Sequence, residues 1–236
     1  MLKDAFHALR SAERPVLVFG AGVRLAGAGG EAHELARLLG VPVAVTWAAR
    51  DLFPADGNLG VLCVGGFGTH GTRAANFAVQ NADWILSVGS RLDSKATGTP
   101  RKYFARGAHV FMVDIDPHEI AKFKEDLGRQ FSGAQADAKM FLSDAIKLVN
   151  TNGWFRGLSW SMWHGRCRDW MIRYPICLPE YEAEERVNPY VLVKRLSEQL
   201  LPGDVIVSDT GLSLAWMMQA FAFKEAQRFV HAWNQT

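Results

Sequence analysis

What most constrains this chain is a repeated alternation of short apolar runs with amphipathic stretches. The runs are Pro15-Val16-Leu17-Val18-Phe19, Pro42-Val43-Ala44-Val45-Thr46, Trp84-Ile85-Leu86-Ser87-Val88 and His109-Val110-Phe111-Met112-Val113. None alternates polar with apolar positions, which is the pattern of strands buried on both faces. Between and around them lie stretches of helical periodicity. Residues 2–12 place Leu2, Phe6 and Leu9 on one face, and residues 31–39 do the same with Ala32, Leu35, Leu38 and Leu39. Gly40 stands where a helix C-cap is expected. Residues 72–81 and 138–149 predict two more helices, the latter with Phe141, Leu142, Ala145, Ile146 and Val149 inward. Strands alternating with helices predict an α/β fold, a Rossmann-like parallel sheet with helices on both faces.

The rhythm breaks near Asn150-Thr151-Asn152-Gly153. Trp154, Trp160, Trp163 and Trp170 follow, the last three at helical spacing, which predicts a helix packed on a neighbouring surface. Pro175, Pro179 and the acidic Glu180, Glu182, Glu184 and Glu185 predict a linker. A second unit then opens, with a helix over 190–200, a strand over 205–207, a turn at Asp209-Thr210-Gly211, a helix over 212–221 and a strand starting at Phe229. The expected organisation is therefore 1–150 as a Rossmann-like domain, 151–186 as a tryptophan-rich helix and linker, and 187–236 as the truncated opening of a further α/β domain.

Composition removes several functions. With 26 Lys+Arg against 24 Asp+Glu, the formal net charge of +2 gives no electrostatic excess for gripping nucleic acid or an anionic membrane. No apolar run approaches the ~20 residues of a membrane span. Cys63, Cys167 and Cys177 lack metal-ligand spacing and read as reduced thiols, so a cytoplasmic location is expected.

Ligands of parallel sheets bind beyond the carboxyl ends of the strands. Four stretches fall there: Gly20-Ala21-Gly22, Gly65 to Gly71 with Gly68, Thr69 and His70, Gly89-Ser90-Arg91-Leu92-Asp93, and Asp114-Ile115-Asp116. Glycines admit close backbone approach to a phosphate, Arg91 can pair with a pyrophosphate, and a carboxylate after a strand suits ribose hydroxyls. Together they point to a nucleotide-containing ligand. Each has a plainer counterpart. Leu25 replaces the third glycine of a dinucleotide fingerprint, so Gly20-Ala21-Gly22 alone reads as a tight turn. His70 has no carboxylate nearby in sequence and reads as a loop contact. Asp116 precedes Pro117 as a natural N-cap.

Taken in order, Arg14-Pro15-Val16-Leu17-Val18-Phe19-Gly20-Ala21-Gly22-Val23, Gly68-Thr69-His70-Gly71-Thr72, the string from Ala82 to Asp93, and Val113-Asp114-Ile115-Asp116-Pro117-His118-Glu119-Ile120 resemble the thiamine-diphosphate enzymes of the acetolactate synthase type. Residues 13–150 are similar to that family's central domain and 187–236 to the start of its diphosphate-binding domain. The resemblance implies a parent enzyme that decarboxylates a 2-oxo acid such as pyruvate and ligates the product. It implies thiamine diphosphate and Mg²⁺ in that parent, and a homo-oligomer, dimer or tetramer. It also implies FAD contacts at Gly20, Gly22, Gly68, Thr69, His70, Gly89, Ser90, Arg91, Asp114, Ile115, Asp137 and Ala138. Gly211 and Ser213 correspond to the turn that holds the thiamine diphosphate phosphates.

The sequence departs from the family in places. Lys95 stands where these synthases often have a second arginine, and Gly211-Leu212-Ser213 where they often have Gly-Gln-His. No Gly-Asp-Gly occurs, and the family's activating glutamate lies on a domain without counterpart in these residues. No catalytic residue or metal ligand is assigned, and the chain alone is expected to be inactive. The alternatives are a free-standing FAD- or NAD-binding module and a ligand-free interaction scaffold, with the tryptophan-rich segment as a docking surface for self-association.

Overall fold

The computed structural model describes residues 1–54, 61–153, 155 and 157–232. The order opens with α1 (Leu2–Leu9), β1 (Pro15–Phe19), α2 (Ala21–Leu25), α3 (Gly29–Leu39) and β2 (Val43–Val45). A 3-10 turn (Trp47–Leu52) leads on to β3 (Cys63–Gly66), α4 (Arg73–Asn81), β4 (Trp84–Val88) and the short α5 (Ser94–Thr97). Then come β5 (His109–Asp114), α6 (Pro117–Leu127), β6 (Phe131–Gln135), α7 (Ala138–Asn152) and α8 (Ser161–Arg173). A second 3-10 turn (Pro179–Ala183) precedes α9 (Pro189–Gln199), β7 (Val205–Ser208), α10 (Leu212–Ala220) and β8 (Arg228–His231).

The first six strands form one sheet in the order β3-β2-β1-β4-β5-β6, and every pairing is parallel. This is the doubly wound order, in which the chain reverses direction across the sheet between β1 and β4. Those two strands are buried along their whole length, as their uninterrupted apolar sequences require. Helix pairs α3 with α7 and α4 with α8 cover the sheet. The helices start where their sequences dictate. Thr72 accepts from the Ala75 amide, Asp116 accepts from the His118 amide with Pro117 behind it, and Asp137 accepts from the Lys139 and Met140 amides. Gly40 closes α3 in the left-handed region, at φ 62°.

Two strands escape the sequence pattern, β3 and β6, and both are sheet edges. Cys63-Val64-Gly65-Gly66 reads as the start of a glycine loop, yet it pairs with β2. Its glycines make room for a neighbour, because a Cβ on Gly66 would come within 2.9 Å of Arg50 Cδ.

The tryptophans of α8 serve the core. Trp160 and Trp163 are buried, and their indole N–H groups donate to the carbonyls of Ala12 at 2.9 Å and Pro15 at 3.1 Å. The Trp163 ring meets Trp170 edge-on at 5.6 Å. Trp160 and Trp163 thus hold α8 against the start of β1, as expected of a helix packed on a neighbouring surface; Trp154 lies outside the described residues. Among the described residues no helix is long and apolar enough to cross a membrane.

Strands β7 and β8 pair in parallel as a separate two-stranded sheet. So small a sheet needs support to persist. It receives it from a second apolar cluster that joins Ile206, Phe221, Phe223 and Phe229 to Trp47 of the first 3-10 turn. Beside Trp47, the buried Asp51 carboxylate receives Arg24 at 2.7 Å, Arg228 at 3.3 Å and the Phe229 amide at 2.9 Å. Arg50 donates to the Phe221 carbonyl at 3.4 Å and lies over the Phe223 ring.

Candidate functional site

At the carboxyl ends of β1 and β4, where the strand order reverses, the sheet opens into a cleft of about 620 Å³. In open parallel sheets ligands bind at this reversal, outside the carboxyl ends of the strands. Its floor is main chain. Gly22 N donates to Gly89 O at 2.8 Å, Gly20 N to Val88 O at 3.1 Å, and Gly89 N to Val113 O at 2.9 Å. A Cβ on Gly22 would come within 2.8 Å of Gly89 Cα, and one on Gly20 would collide with the main chain of Gly89 and Ser90. The glycines therefore let two backbone segments touch. Gly20 fulfils that role outside the cleft wall, and Gly22 and Gly89 fulfil it while also lining the wall.

The rim is assembled from several elements. Leu25 comes from α2, Trp47 from the 3-10 turn, Ser90, Arg91 and Lys95 from the segment after β4, Asp114 and Ile115 from the end of β5, and Asp137 and Ala138 from the start of α7. His231 of β8 reaches the same cleft. Burial holds its imidazole below the usual histidine range, partly offset by the Asp51 charge. Arg91 and Leu92 both sit in the left-handed region, at φ 55° and 49°, a strained arrangement for side chains of this size. Leu92 is fully buried and anchors the bend, which turns Arg91 outward.

The charged groups already have partners of differing strength. Arg91 Nε donates to Glu119 at 3.1 Å, and Lys122 reaches the same carboxylate oxygen at 2.8 Å. Partial burial raises the Glu119 carboxyl most, yet Lys122 and Arg91 together hold it below the usual range. Asp114 Oδ1 accepts from the Asp116 amide at 3.0 Å, and Asp93 and Asp137 cap α5 and α7. Lys95 makes no ion pair among the described residues.

The structure thus gathers Gly22, Gly89, Ser90, Arg91, Asp114, Ile115, Asp137 and Ala138 around one space. Gly68, Thr69 and His70 stand behind it. The Thr69 amide donates to the Lys95 carbonyl at 2.8 Å, a Cβ on Gly68 would meet that same carbonyl at 2.5 Å, and His70 packs on Trp47 at 4.9 Å. They brace the 93–97 segment and Trp47. Gly211 and Ser213 line neither this cleft nor the second cavity, and the Ser213 hydroxyl donates to the carbonyls of Thr210 at 2.9 Å and Asp209 at 3.3 Å. That hydroxyl closes its own turn. Leu25, Trp47 and His231 carry no motif, and only the tertiary structure identifies them as rim residues.

Two groups can be tested against these residues. The cleft has the volume of a small-molecule site, two cationic side chains, a carboxylate at a strand end and a floor without side chains, a set that fits the diphosphate and ribose of a dinucleotide. For a magnesium diphosphate, no group of three or more His, Cys, Asp or Glu side chains that could hold the cation occurs among the described residues.

Residues 2–144 match the family described as "Thiamine pyrophosphate enzyme, central domain". The chain is 30% identical over 243 residues to a probable acetolactate synthase large subunit of Methanocaldococcus jannaschii, covering 97% of this chain and 38% of that protein. It is 28% identical over 237 residues to an acetolactate synthase of Mycobacterium avium, covering 99% and 36%. Against the acetolactate synthase isozyme 1 large subunit of Escherichia coli it is 28% identical over 229 residues, covering 97% and 38%. The chain spans less than two fifths of the length of these curated relatives.

Proposed function

The chain belongs to the thiamine pyrophosphate enzymes through their central domain, and from this premise we propose that it supplies the nucleotide cleft of an acetolactate-synthase-like enzyme. Such an enzyme removes CO₂ from one 2-oxo acid, pyruvate for example, and joins the remaining carbon fragment to the carbonyl carbon of a second. Thiamine diphosphate, when bound in that enzyme, supplies the electron sink for the decarboxylation. On this reading the described residues of this chain contribute position and binding. On this proposal residues 1–150 act as the nucleotide-binding domain, 151–186 as its covering helix and linker, and 187–236 as part of the diphosphate-binding domain. The large-subunit names of two relatives support an oligomeric assembly, and three free cysteines support a cytoplasmic location.

One observation carries the nucleotide part of the proposal: the cleft lies at the reversal point of a β3-β2-β1-β4-β5-β6 parallel sheet. FAD is the nucleotide that the resemblance implies. Arg91 and Lys95 would take its pyrophosphate, Gly22 and Gly89 would allow the close approach, and Asp114 would accept from ribose hydroxyls. Exchanging Glu119 for a phosphate is open to Arg91, whose side chain is largely exposed. A vacant scaffold is the second reading, favoured by that same Arg91–Glu119 pair and by Lys95, whose point charge cannot form a planar bidentate contact.

Titration of the purified chain with FAD, ADP and NAD separates the two. Saturable binding should raise the melting temperature, since ligand at about 100 times its Kd contributes about 2.7 kcal/mol. Arg91→Gln and Lys95→Gln should each weaken binding about tenfold, the loss of one charge-assisted contact. No shift with any of the three nucleotides would establish the vacant scaffold. With thiamine diphosphate, Mg²⁺ and pyruvate, the chain alone is expected to form no acetolactate.

A further inference from the structure

A second cavity of about 380 Å³ opens where α4 begins, α8 ends and the chain crosses towards α9. It shares no lining residue with the nucleotide cleft. Its chemistry is one-sided. Among the described residues Arg73 and Arg173 line it, and no aspartate, glutamate or histidine does. Three of the four tyrosines in the chain, Tyr174, Tyr181 and Tyr190, line it as well.

The side chains are arranged and largely uncommitted. Arg73 makes no ion pair among the described residues, and its guanidinium lies 5.6 Å from the centre of the Tyr174 ring. Arg173 pairs at 3.2 Å with Asp169, one helical turn back and solvent-exposed, a kind of pair that contributes little and exchanges readily. Phe77 holds Tyr174 edge-on at 5.5 Å, and Tyr181 stacks on Tyr190 at 6.1 Å. The three phenol hydroxyls and the Gln219 amide, which also lines the cavity, make no hydrogen bond to protein among the described residues. Two guanidinium groups thus border one cavity, Arg73 without an ion pair and Arg173 held only by the exposed Asp169, and an anion in the cavity offers both a charged partner. The rings around them favour a planar group and donate through their hydroxyls.

We propose that this cavity is a second binding site, taking a small organic anion that carries a planar ring. Arg73 and Arg173 hold the carboxylate or phosphate, and the tyrosines accommodate the ring. This assignment is independent of what occupies the nucleotide cleft. Because its walls come from α4 and α8 on one side and from α9 and α10 on the other, an occupant also ties the linker and the C-terminal helices to the six-stranded unit.

Calorimetric titration of the whole chain with benzoate, phenyl phosphate, benzamide and inorganic phosphate tests it. Saturable binding of benzoate identifies a carboxylate ligand and of phenyl phosphate a phosphate ligand, and either supports the site. Benzamide, which lacks the charge, and inorganic phosphate, which lacks the ring, should each bind at least about tenfold more weakly. Arg73→Gln and Arg173→Gln should each weaken binding about tenfold, and Arg91→Gln, in the other cleft, should leave it unchanged. Both cavity arginines are exposed, so the unliganded melting temperatures should match the parent. The proposal is overturned if neither ring-bearing anion binds below about 10 mM. It is equally overturned if benzamide or inorganic phosphate binds as tightly, or if neither arginine substitution weakens binding.

Discussion

Removing the carboxylate of Asp51 should loosen the C-terminal sheet before anything else. The side chain is only 3% exposed and has three partners on two separate parts of the fold. Arg24 comes from α2 at 2.7 Å, and Arg228 and the Phe229 amide come from β8 at 3.3 and 2.9 Å. In Asp51→Ala the Phe229 amide is left as a buried donor without an acceptor, which costs about 1–3 kcal/mol. Breaking a buried ion pair by deleting one partner costs roughly 3–5 kcal/mol in full burial. Arg24 retains a quarter of its exposure and Arg228 about half, so solvent discounts the ionic share and Arg228 adds little. The expected total is about 3 kcal/mol, a fall in melting temperature of roughly 6–12 °C for a chain of this length. Asp51→Asn keeps an acceptor for the Phe229 amide and should lose about half as much, and Arg228→Gln alone less than about 1 kcal/mol. Urea unfolding followed by fluorescence gives the totals, and hydrogen exchange gives the location, with β8 amides expected to exchange earlier than those of β1. A total below about 1 kcal/mol for Asp51→Ala, or equal loosening of β1, would refute the reasoning.

Gly20→Ala should cost more than about 3 kcal/mol in urea unfolding, because the added Cβ strikes the main chain of Gly89 and Ser90, which cannot rotate away. Gly30→Ala, in the first turn of α3 with nothing within 4 Å of the new atom, should instead gain about 0.5–1 kcal/mol. Burial depresses the imidazoles of His109, His164 and His231, the last two against a smaller opposing influence. The unfolded chain therefore takes up more protons than the folded one just below the ordinary histidine pKa of about 6.5, so the melting temperature should fall as pH drops from about 7.5 to about 5.5. A flat or rising profile over that window would contradict the assignment. Burial pushes the Cys167 thiol up to about 12, so in the native protein at about pH 8 it should resist alkylation and react only after denaturation, as mass spectrometry of the labelled peptide can show.

The core of the sheet was legible because β1, β4 and β5 are buried runs whose side chains answer only to apolar neighbours. The edges were not. In Phe131-Ser132-Gly133-Ala134-Gln135 only Phe131 is buried and the rest are small or polar, so nothing local distinguishes it from a loop until Met112 and Val113 lie beside it. Residues 21–25 read as part of a small-residue turn, and they wind into a helical turn because Gly22 can lie directly on Gly89. The candidate site divides in the same way. Residues that follow strands in the central sheet, such as Asp114 and Ser90, could be placed from the strand pattern alone. Trp47 and His231 could not, since they reach the cleft through a 3-10 turn and a strand more than 180 residues apart. The glycines conveyed closeness correctly, but much of that closeness is between backbone and backbone.

That last contact has a consequence for heredity. A floor made of main chain pressed on main chain keeps its shape whatever side chains surround it, and almost any replacement of Gly20, Gly22 or Gly89 is penalised at once. Selection on the ligand therefore acts through the rim alone. Leu25 and Lys95 stand there largely in solvent, where substitutions disturb no packing. A lineage carrying this scaffold can exchange one guest for another, or abandon guests altogether, in a few single-residue steps that leave the sheet unmoved.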